Sequence, residues 1–366
     1  MVKSILEGIV NKVEIALVND NPVINYLAGS LKKPDEIVWL YQSNNIKNIK
    51  NVEALLKTNQ RVKFTRKRIP SGDFNRFGKI LEEIKEQYKE KELLLNLSGN
   101  DQVAGLMLYD NLRKDAKDIF IVDAERNSII NLKEQKADTI HTNLTVNEYI
   151  RLYGMEVSSG IHFDPKIGER SRLTYFIGNN MDLIVPFLDK VRVEITRDKD
   201  TDNKKWELNK RGTVFKINKE QQNYKIIYGR NNNQNEIELN MIGEEYLFRG
   251  EWLRELVFLR VNKSHFGDVR LNINLDPNSI PKRKKIETII DVAMRRRCKF
   301  YIFQCFSYPI TKNSFIALNS ISRTIDELDA ESFILLSHRP PNSFIARAHS
   351  AGIKIVYGAK IANFSI

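Results

Sequence analysis

The chain is poor in the residues from which many sites are built. Its 366 residues include only two cysteines, Cys298 and Cys305, so a disulfide framework and a zinc quartet are both excluded. The five histidines, His141, His162, His265, His338 and His349, have no metal-ligand spacing, and neither cysteine stands near one of them in the chain. No Ser-His-Asp arrangement is recognisable from spacing. No GxGxxG or Walker sequence occurs, so a dinucleotide or NTP motif is not supported. No apolar run approaches the roughly eighteen residues of a spanning helix, so no membrane partner is expected. Lys3, Glu7, Lys12 and Glu14 crowd the start, which does not fit a signal peptide; a cytoplasmic location is the expectation.

What is present is charge and periodic apolar sequence. Hydrophobic residues make up 42% and charged residues 28%, the balance of a folded chain, with a net charge of +12. That excess permits a nucleic-acid or phosphorylated partner without requiring one.

Strand and helix patterns alternate over the first part. Val13–Val18, Glu36–Tyr41, Val62–Thr65, Leu93–Leu97 and Ile119–Val122 read as strands, Leu93–Leu97 as a buried one. Between them Asn25–Leu31, Val52–Lys57, Phe74–Tyr88 and Val103–Leu112 read as helices. Phe74, Phe77, Ile80, Leu81, Ile84 and Tyr88 recur mostly at steps of three and four, the stripe of an amphipathic helix. Alternation of this kind predicts a Rossmann-like α/β domain, here 1–148. Residues 149–243 predict a β-rich connector, with short strands at Val191–Thr196, Thr213–Ile217, Tyr224–Tyr228 and Glu236–Leu239. Residues 244–366 predict a helix at Glu244–Leu259, strands at Val269–Leu275, Ile286–Met294 and Lys299–Phe306, then helix, strand, helix, strand. That order is the order of a restriction-endonuclease-like core.

Two places could carry chemistry. In open parallel sheets ligands bind beyond the carboxyl ends of strands. Two loops leave such ends: Asn19-Asp20-Asn21-Pro22 and Ser98-Gly99-Asn100-Asp101-Gln102. The second opens a helix, whose first N–H groups suit phosphate. Ordinary turn and N-cap residues would look the same. The second place is Asp291, mid-strand in apolar sequence. A buried Asp needs a partner or a metal, and a Mn or Mg ion held there would suit phosphodiester cleavage. Glu287, Asp291 and Arg295 also fall at even spacing, so one solvated strand face explains them equally. Basic runs flank the strand: Lys282, Arg283, Lys284 and Lys285 before it, Arg295, Arg296 and Arg297 after it. Pro281–Phe300 holds eight basic residues against two acidic ones, half the net charge of the chain. Charged runs usually protect a strand edge; bracketing a candidate site, they suit a phosphate backbone of DNA or RNA.

The element order resembles the CRISPR-accessory proteins that join an N-terminal CARF domain to a C-terminal PD-(D/E)xK nuclease domain. The family's loop N-x-T-G-G-T-K and small-residue helix are similar to Asn96-Leu97-Ser98-Gly99-Asn100-Asp101-Gln102 and Ala104-Gly105-Leu106-Met107; its first loop is similar to Asn19–Pro22 with Asn25. Its G-x-W-L-E helix is similar to Gly250-Glu251-Trp252-Leu253-Arg254, its D-V strand to Asp291-Val292, and its I-E-C-K strand to Phe303-Gln304-Cys305-Phe306. The close, Arg347-Ala348 and then Gly352-Ile353-Lys354-Ile355-Val356, also fits. The resemblance implies a homodimer that binds cyclic oligoadenylate of unspecified ring size in type III antiviral defence. It also implies a nuclease using Mn or Mg. Departures fall on the functional positions. Gln304 replaces a metal-holding Glu, Phe306 the Lys, and Arg254 the helix Glu; Asn100-Asp101-Gln102 replaces G-T-K. A degenerate nuclease fold is the simpler expectation. The alternative is an active Mn- or Mg-dependent DNA or RNA endonuclease with a relocated site, drawing on Asp291, Glu287 or Glu255.

Overall fold

The computed structural model describes residues 11–42, 46–161, 164–197, 203–240, 242–262, 267–276 and 289–366. The chain divides into two compact α/β units. One comprises residues up to Glu156 with Arg297–Lys299; the other comprises Val157–Arg296 and Phe300–Ile366. Of the span 149–243 expected as a connector, residues 149–156 belong to the first unit and 157–243 to the unit that holds most of the C-terminal residues.

The first unit is Rossmann-like. In chain order it runs β1 (Lys12–Leu17), α1 (Pro22–Lys32), β2 (Glu36–Tyr41), α2 (Ile46–Asn59), β3 (Lys63–Arg68), α3 (Phe74–Gln87), β4 (Glu92–Asn96), α4 (Gln102–Leu112) and β5 (Ala116–Asp123). A hairpin, β6 (Ser128–Asn131) and β7 (Lys136–Thr139), and α5 (Val146–Leu152) complete it. The sheet order is β3-β2-β1-β4-β5-β6-β7. Its first five strands are parallel, and β6 and β7 add antiparallel. The central strands β1, β2 and β4 are buried almost throughout because helices cover both faces, whereas the edge strand β3 is half-buried to exposed. On one face Val13, Ile15, Leu17, Leu93 and Leu95 meet Phe77, Leu81 and Ile84 of α3 and Ala104 and Leu108 of α4, the stripe that the spacing predicts.

The second unit opens with β8 (Val157–Ile161), α6 (Pro165–Asn179) and α7 (Met181–Arg197). Val191–Thr196, expected as a strand, is therefore the end of a helix. Its six residues alternate in polarity. Over the whole element, however, Met181, Ile184, Val185, Leu188 and Val191 are the buried positions, a helical period. Next comes an antiparallel sheet of β9 (Lys205–Lys210), β10 (Thr213–Glu220), β11 (Asn223–Arg230) and β12 (Asn233–Asn240), in the order β12-β11-β10-β9.

The helix expected over Glu244–Leu259 is two helices, α8 (Gly243–Phe248) and α9 (Glu251–Val261), broken at Gly250. Gly250 has φ of 92°, and a Cβ there would overlap the Ser307 side chain, so the break needs glycine. Then follow β13 (Gly267–Leu275), β14 (Ile289–Arg296), β15 (Lys299–Phe306), α10 (Lys312–Leu328), β16 (Glu331–Leu336), α11 (Asn342–Ser350) and β17 (Lys354–Tyr357). The sheet order is β17-β16-β15-β14-β13-β8, with β15, β16 and β17 parallel and β13 antiparallel to both β14 and β8. Among the described residues no helix is long and apolar enough to cross a membrane.

Candidate functional sites

In the first unit, β1 and β4 are parallel neighbours from which the chain departs in opposite lateral directions, to β2 and to β5. This is the switch point at which such sheets hold ligands. The two predicted loops meet there. Asn19 Nδ2 donates to the Ser98 carbonyl at 2.5 Å, and Asn100 Nδ2 donates to Asp20 Oδ2 at 2.7 Å. Asn25 locks the first loop by exchanging two bonds with the Asn19 backbone, at 2.9 and 2.8 Å. Gly99 is required by closeness: a Cβ there would lie 2.5 Å from Leu17 Cβ.

Most of the predicted side chains are occupied by the fold. Asn19 is buried and its Oδ1 accepts the Asn21 N–H. Asn21 caps α1 by accepting from Val23, and Tyr153 donates to the same oxygen at 3.3 Å. Ser98 accepts the Val122 N–H at 2.8 Å and so ties the loop to β5. Asp101 caps α4, one oxygen accepting from Ala104 at 3.0 Å and the other from Gln42 Nε2 at 2.7 Å. The acid of the wrong sign for a phosphate is thus a helix cap. Asp20, Asn100 and Gln102 are the exposed members. Sequence spacing missed Gln42, Asn48 and Tyr153, which the fold delivers from other elements; Asn48 donates to the Asp20 carbonyl at 2.9 Å.

Beneath the loops lies Glu14, fully buried. Asn96 Nδ2 donates to its Oε1 at 2.9 Å, and Asn96 Oδ1 accepts the Ser98 N–H. Its other oxygen has no hydrogen-bond partner among the described residues. Burial pushes this carboxyl up to about 7, against the opposing pull of Asn96 and Lys32.

In the second unit, Asp291 is 2% exposed and Arg295 6%, which removes the reading of one solvated strand row. Glu287 lies outside the described residues. Arg254, at the position of the expected helix Glu, puts its Nε 3.0 Å from Asp291 Oδ1. Its Nη1 also reaches Glu251 at 2.5 Å. The Cys305 N–H donates to Asp291 Oδ2 at 2.7 Å. Burial still holds the Asp291 carboxyl up at about 6, with Arg254 the chief opposing influence. Gln304 also hydrogen-bonds Asp291 through its side chain, while its own Oε1 is buried without a partner among the described residues. Phe306 packs edge-on to Phe344 in an apolar cluster with Leu318 and Leu336.

Glu255 does not join Asp291. It is buried on another side of α9, where Arg170 donates to it from both Nε (2.8 Å) and Nη2. Burial raises its carboxyl despite that partner. The donor set therefore does not fit Mn or Mg. A guanidinium holds the carboxylate, the neighbouring ligand position is an amide, and the nearest glutamates are engaged by arginines. Among the described residues no group of three His, Cys, Asp or Glu could hold a metal.

The basic residues of the expected nucleic-acid face separate. Lys284 and Lys285 lie outside the described residues. Arg295 is buried, so it does not present its charge to a phosphate backbone. Arg296 is half-buried and donates to the Ile366 carbonyl. Of the described members only Arg297 is exposed, at φ of 57° in the turn before β15. A polar chain that spacing did not reveal lies elsewhere: Ser337 Oγ to His338 Nδ1 at 2.7 Å, and His338 Nε2 to Asp189 at 2.6 Å. It ties the end of β16 to α7.

No protein-family model and no curated relative matches the chain. Solved structures share its fold. Protein VC1899 from Vibrio cholerae matches with a TM-score of 0.72 at 15% identity, over 96% of this chain and 95% of that one. Can2 from Sulfobacillus thermosulfidooxidans, solved in complex with cyclic tetra-adenylate, matches with a TM-score of 0.66 at 13% identity, over 96% of both chains.

Proposed function

We propose that this protein is a cyclic-oligoadenylate-responsive accessory protein of type III CRISPR antiviral defence, whose nuclease-fold domain has lost metal-dependent cutting. The sensing half of this reading is supported by the two loops at the switch point and by the shared fold with Can2, which is described with cyclic tetra-adenylate bound. The observation that carries the other half is the Arg254–Asp291 ion pair, a cationic side chain on the one family carboxylate that survives.

Calorimetry with cyclic tetra- and hexa-adenylate tests sensing: binding of one ring is expected, and binding of neither sinks it. Incubation of single-stranded DNA, RNA and plasmid with Mn or Mg tests cutting. No cleavage is expected; robust Mn-dependent cutting abolished by Asp291→Ala would establish the active endonuclease instead. The protein then acts by holding rather than cutting nucleic acid, through Arg297 and the run containing Lys284 and Lys285. Such binding should weaken steeply with salt. A homodimer is part of the same proposal. It is supported by Val103 and Leu106, exposed one turn apart on α4, and is tested by the mass in solution.

A further inference from the structure

Glu14 lies on the face of the first sheet opposite Val13, Ile15 and Leu17, beneath the switch-point loops. Its row across the strands is Ile37 of β2, Glu14, Leu94 of β4 and Asp118 of β5. The next row towards the loops is Trp39, Ala16, Asn96 and Phe120. Glu14, Trp39 and Asn96 are all fully buried. The Ser98 N–H, donating to Asn96 Oδ1 at 3.0 Å, fixes the amide so that its Nδ2 faces Glu14 Oε1. A proton on this carboxyl therefore sits on Oε2, which has no partner among the described residues. Ionised, the same oxygen would be a buried charge without a donor. One amide side chain thus separates a buried acid from the backbone of the Ser98–Gln102 loop.

The groups around it do little to hold that charge. Lys32 of α1 is the nearby cation, but its Nζ lies 2.6 Å from Asp118 Oδ2. Lys12 and Glu92 stand opposite each other nearer the amino ends of β1 and β4. On this face β2 presents Ile37, Trp39 and Tyr41. Tyr26 of α1 accepts from Asn59, and Glu53 of α2 is held by Arg66. Burial accordingly leaves the Glu14 carboxyl at about 7, so its proton exchanges near neutrality.

We propose that Glu14 links the loops to pH: an anion held at Asn19–Pro22 and Ser98–Gln102 is taken up together with a proton on Glu14. Such coupling rests on the sensing reading above. A negative charge about 10 Å from the carboxylate, at an effective dielectric near 20, makes affinity differ about tenfold between the two protonation states of Glu14. Below pH 7 the proton is already present and affinity is highest. As pH rises through 7 the unliganded protein loses it, so binding takes up a proton and weakens.

Calorimetry with cyclic tetra- and hexa-adenylate at pH 6, 7, 8 and 9, in buffers of different ionisation enthalpy, tests it; neither ring titrates in this range. The ring that binds should do so about tenfold more weakly at pH 9 than at pH 6, with proton uptake at pH 7–8. Glu14→Gln should flatten that profile and abolish the uptake. Without ligand, Trp39 fluorescence, in a chain with Trp206 and Trp252 replaced by Phe, should show a transition near pH 7 that Glu14→Gln removes. Three results overturn the coupling: no Trp39 transition between pH 5 and pH 9, equal affinity at pH 6 and pH 9, or a profile that Glu14→Gln leaves unchanged. Each of these leaves cyclic-oligoadenylate sensing intact. Binding of neither ring at any pH removes the sensing reading and this coupling with it.

Discussion

Arg254→Met removes the guanidinium from Asp291 while keeping much of the aliphatic stem. At the 3.0 Å separation of Nε and Oδ1, an effective dielectric near 20 gives an attraction of about 5 kcal/mol. Arg254 is 29% exposed and shared with Glu251, so solvent screening takes a large part of this. Protonation of the stranded carboxylate sets a further ceiling. The expected loss is about 2 kcal/mol at pH 8, below the roughly 3–5 kcal/mol of fully enclosed pairs.

The sign with pH follows from Asp291 itself. Its carboxyl stands at about 6 in the folded chain against an ordinary 3.8. Its contribution to stability is therefore fully present below 3.8 and is lost as pH rises through 6. At pH 5 the folded chain already holds the proton, the ion pair is largely absent from the wild type, and Arg254→Met costs little more than its packing. Thermal unfolding followed by Trp252 fluorescence, with Trp39 and Trp206 replaced by Phe, reads this difference. A penalty of about 2 kcal/mol lowers the midpoint by roughly 4–8 °C at pH 8, and the lowering should nearly vanish at pH 5. An equal lowering at both pH values would refute the reasoning, because the loss would then be packing and not charge.

Three further outcomes are expected. Gly99→Ala forces the loop away from Leu17 and should abolish cyclic-oligoadenylate binding by calorimetry while costing about 1–3 kcal/mol of stability. Glu14→Gln removes a carboxyl held at about 7, whose stabilising contribution is present below 4.5 and lost as pH rises through 7; denaturant titrations should find the variant more stable than wild type by about 2 kcal/mol at pH 8 and not at pH 4. Gly250→Ala strains a φ of 92° and collides with Ser307, and should cost about 2–3 kcal/mol in the same titrations.

Where a signal repeats locally, the sequence was legible. Leu93–Leu97 and the Phe77, Leu81 and Ile84 stripe each state their own period, and the switch-point loops follow from being the ends of such strands. Where the partner is remote, it was not. Asp101 looks like a ligand residue until Ala104 and Gln42 are seen to use both oxygens. Asp291 and Arg295 read equally well as solvated, because even spacing reports a shared face and not which way it points. The alternation in Val191–Thr196 was too short a window to outvote the longer helical period around it.

On the proposed reading, the Arg254 pair also accounts for Asp291 standing where the other acids of the resembled pattern are absent. A buried Asp291 needs a positive neighbour, and Arg254 supplies one from the chain itself, so the acid stays tolerable without a metal. The same arrangement resists piecemeal reversal. Arg254→Glu alone would set a third carboxylate beside Asp291 and Glu251 with nothing to balance them. Phe306→Lys alone would place an ammonium in the cluster of Phe344, Leu318 and Leu336. Gln304→Glu alone would add a charge beside an acid that already struggles to ionise. Arg254→Glu or Phe306→Lys alone would each add a charge with no opposite partner beside it, and Gln304→Glu alone would leave two acids to share the Arg254 guanidinium. On the proposed reading, a cation site of the resembled pattern therefore needs the three changes together, with a metal to balance them.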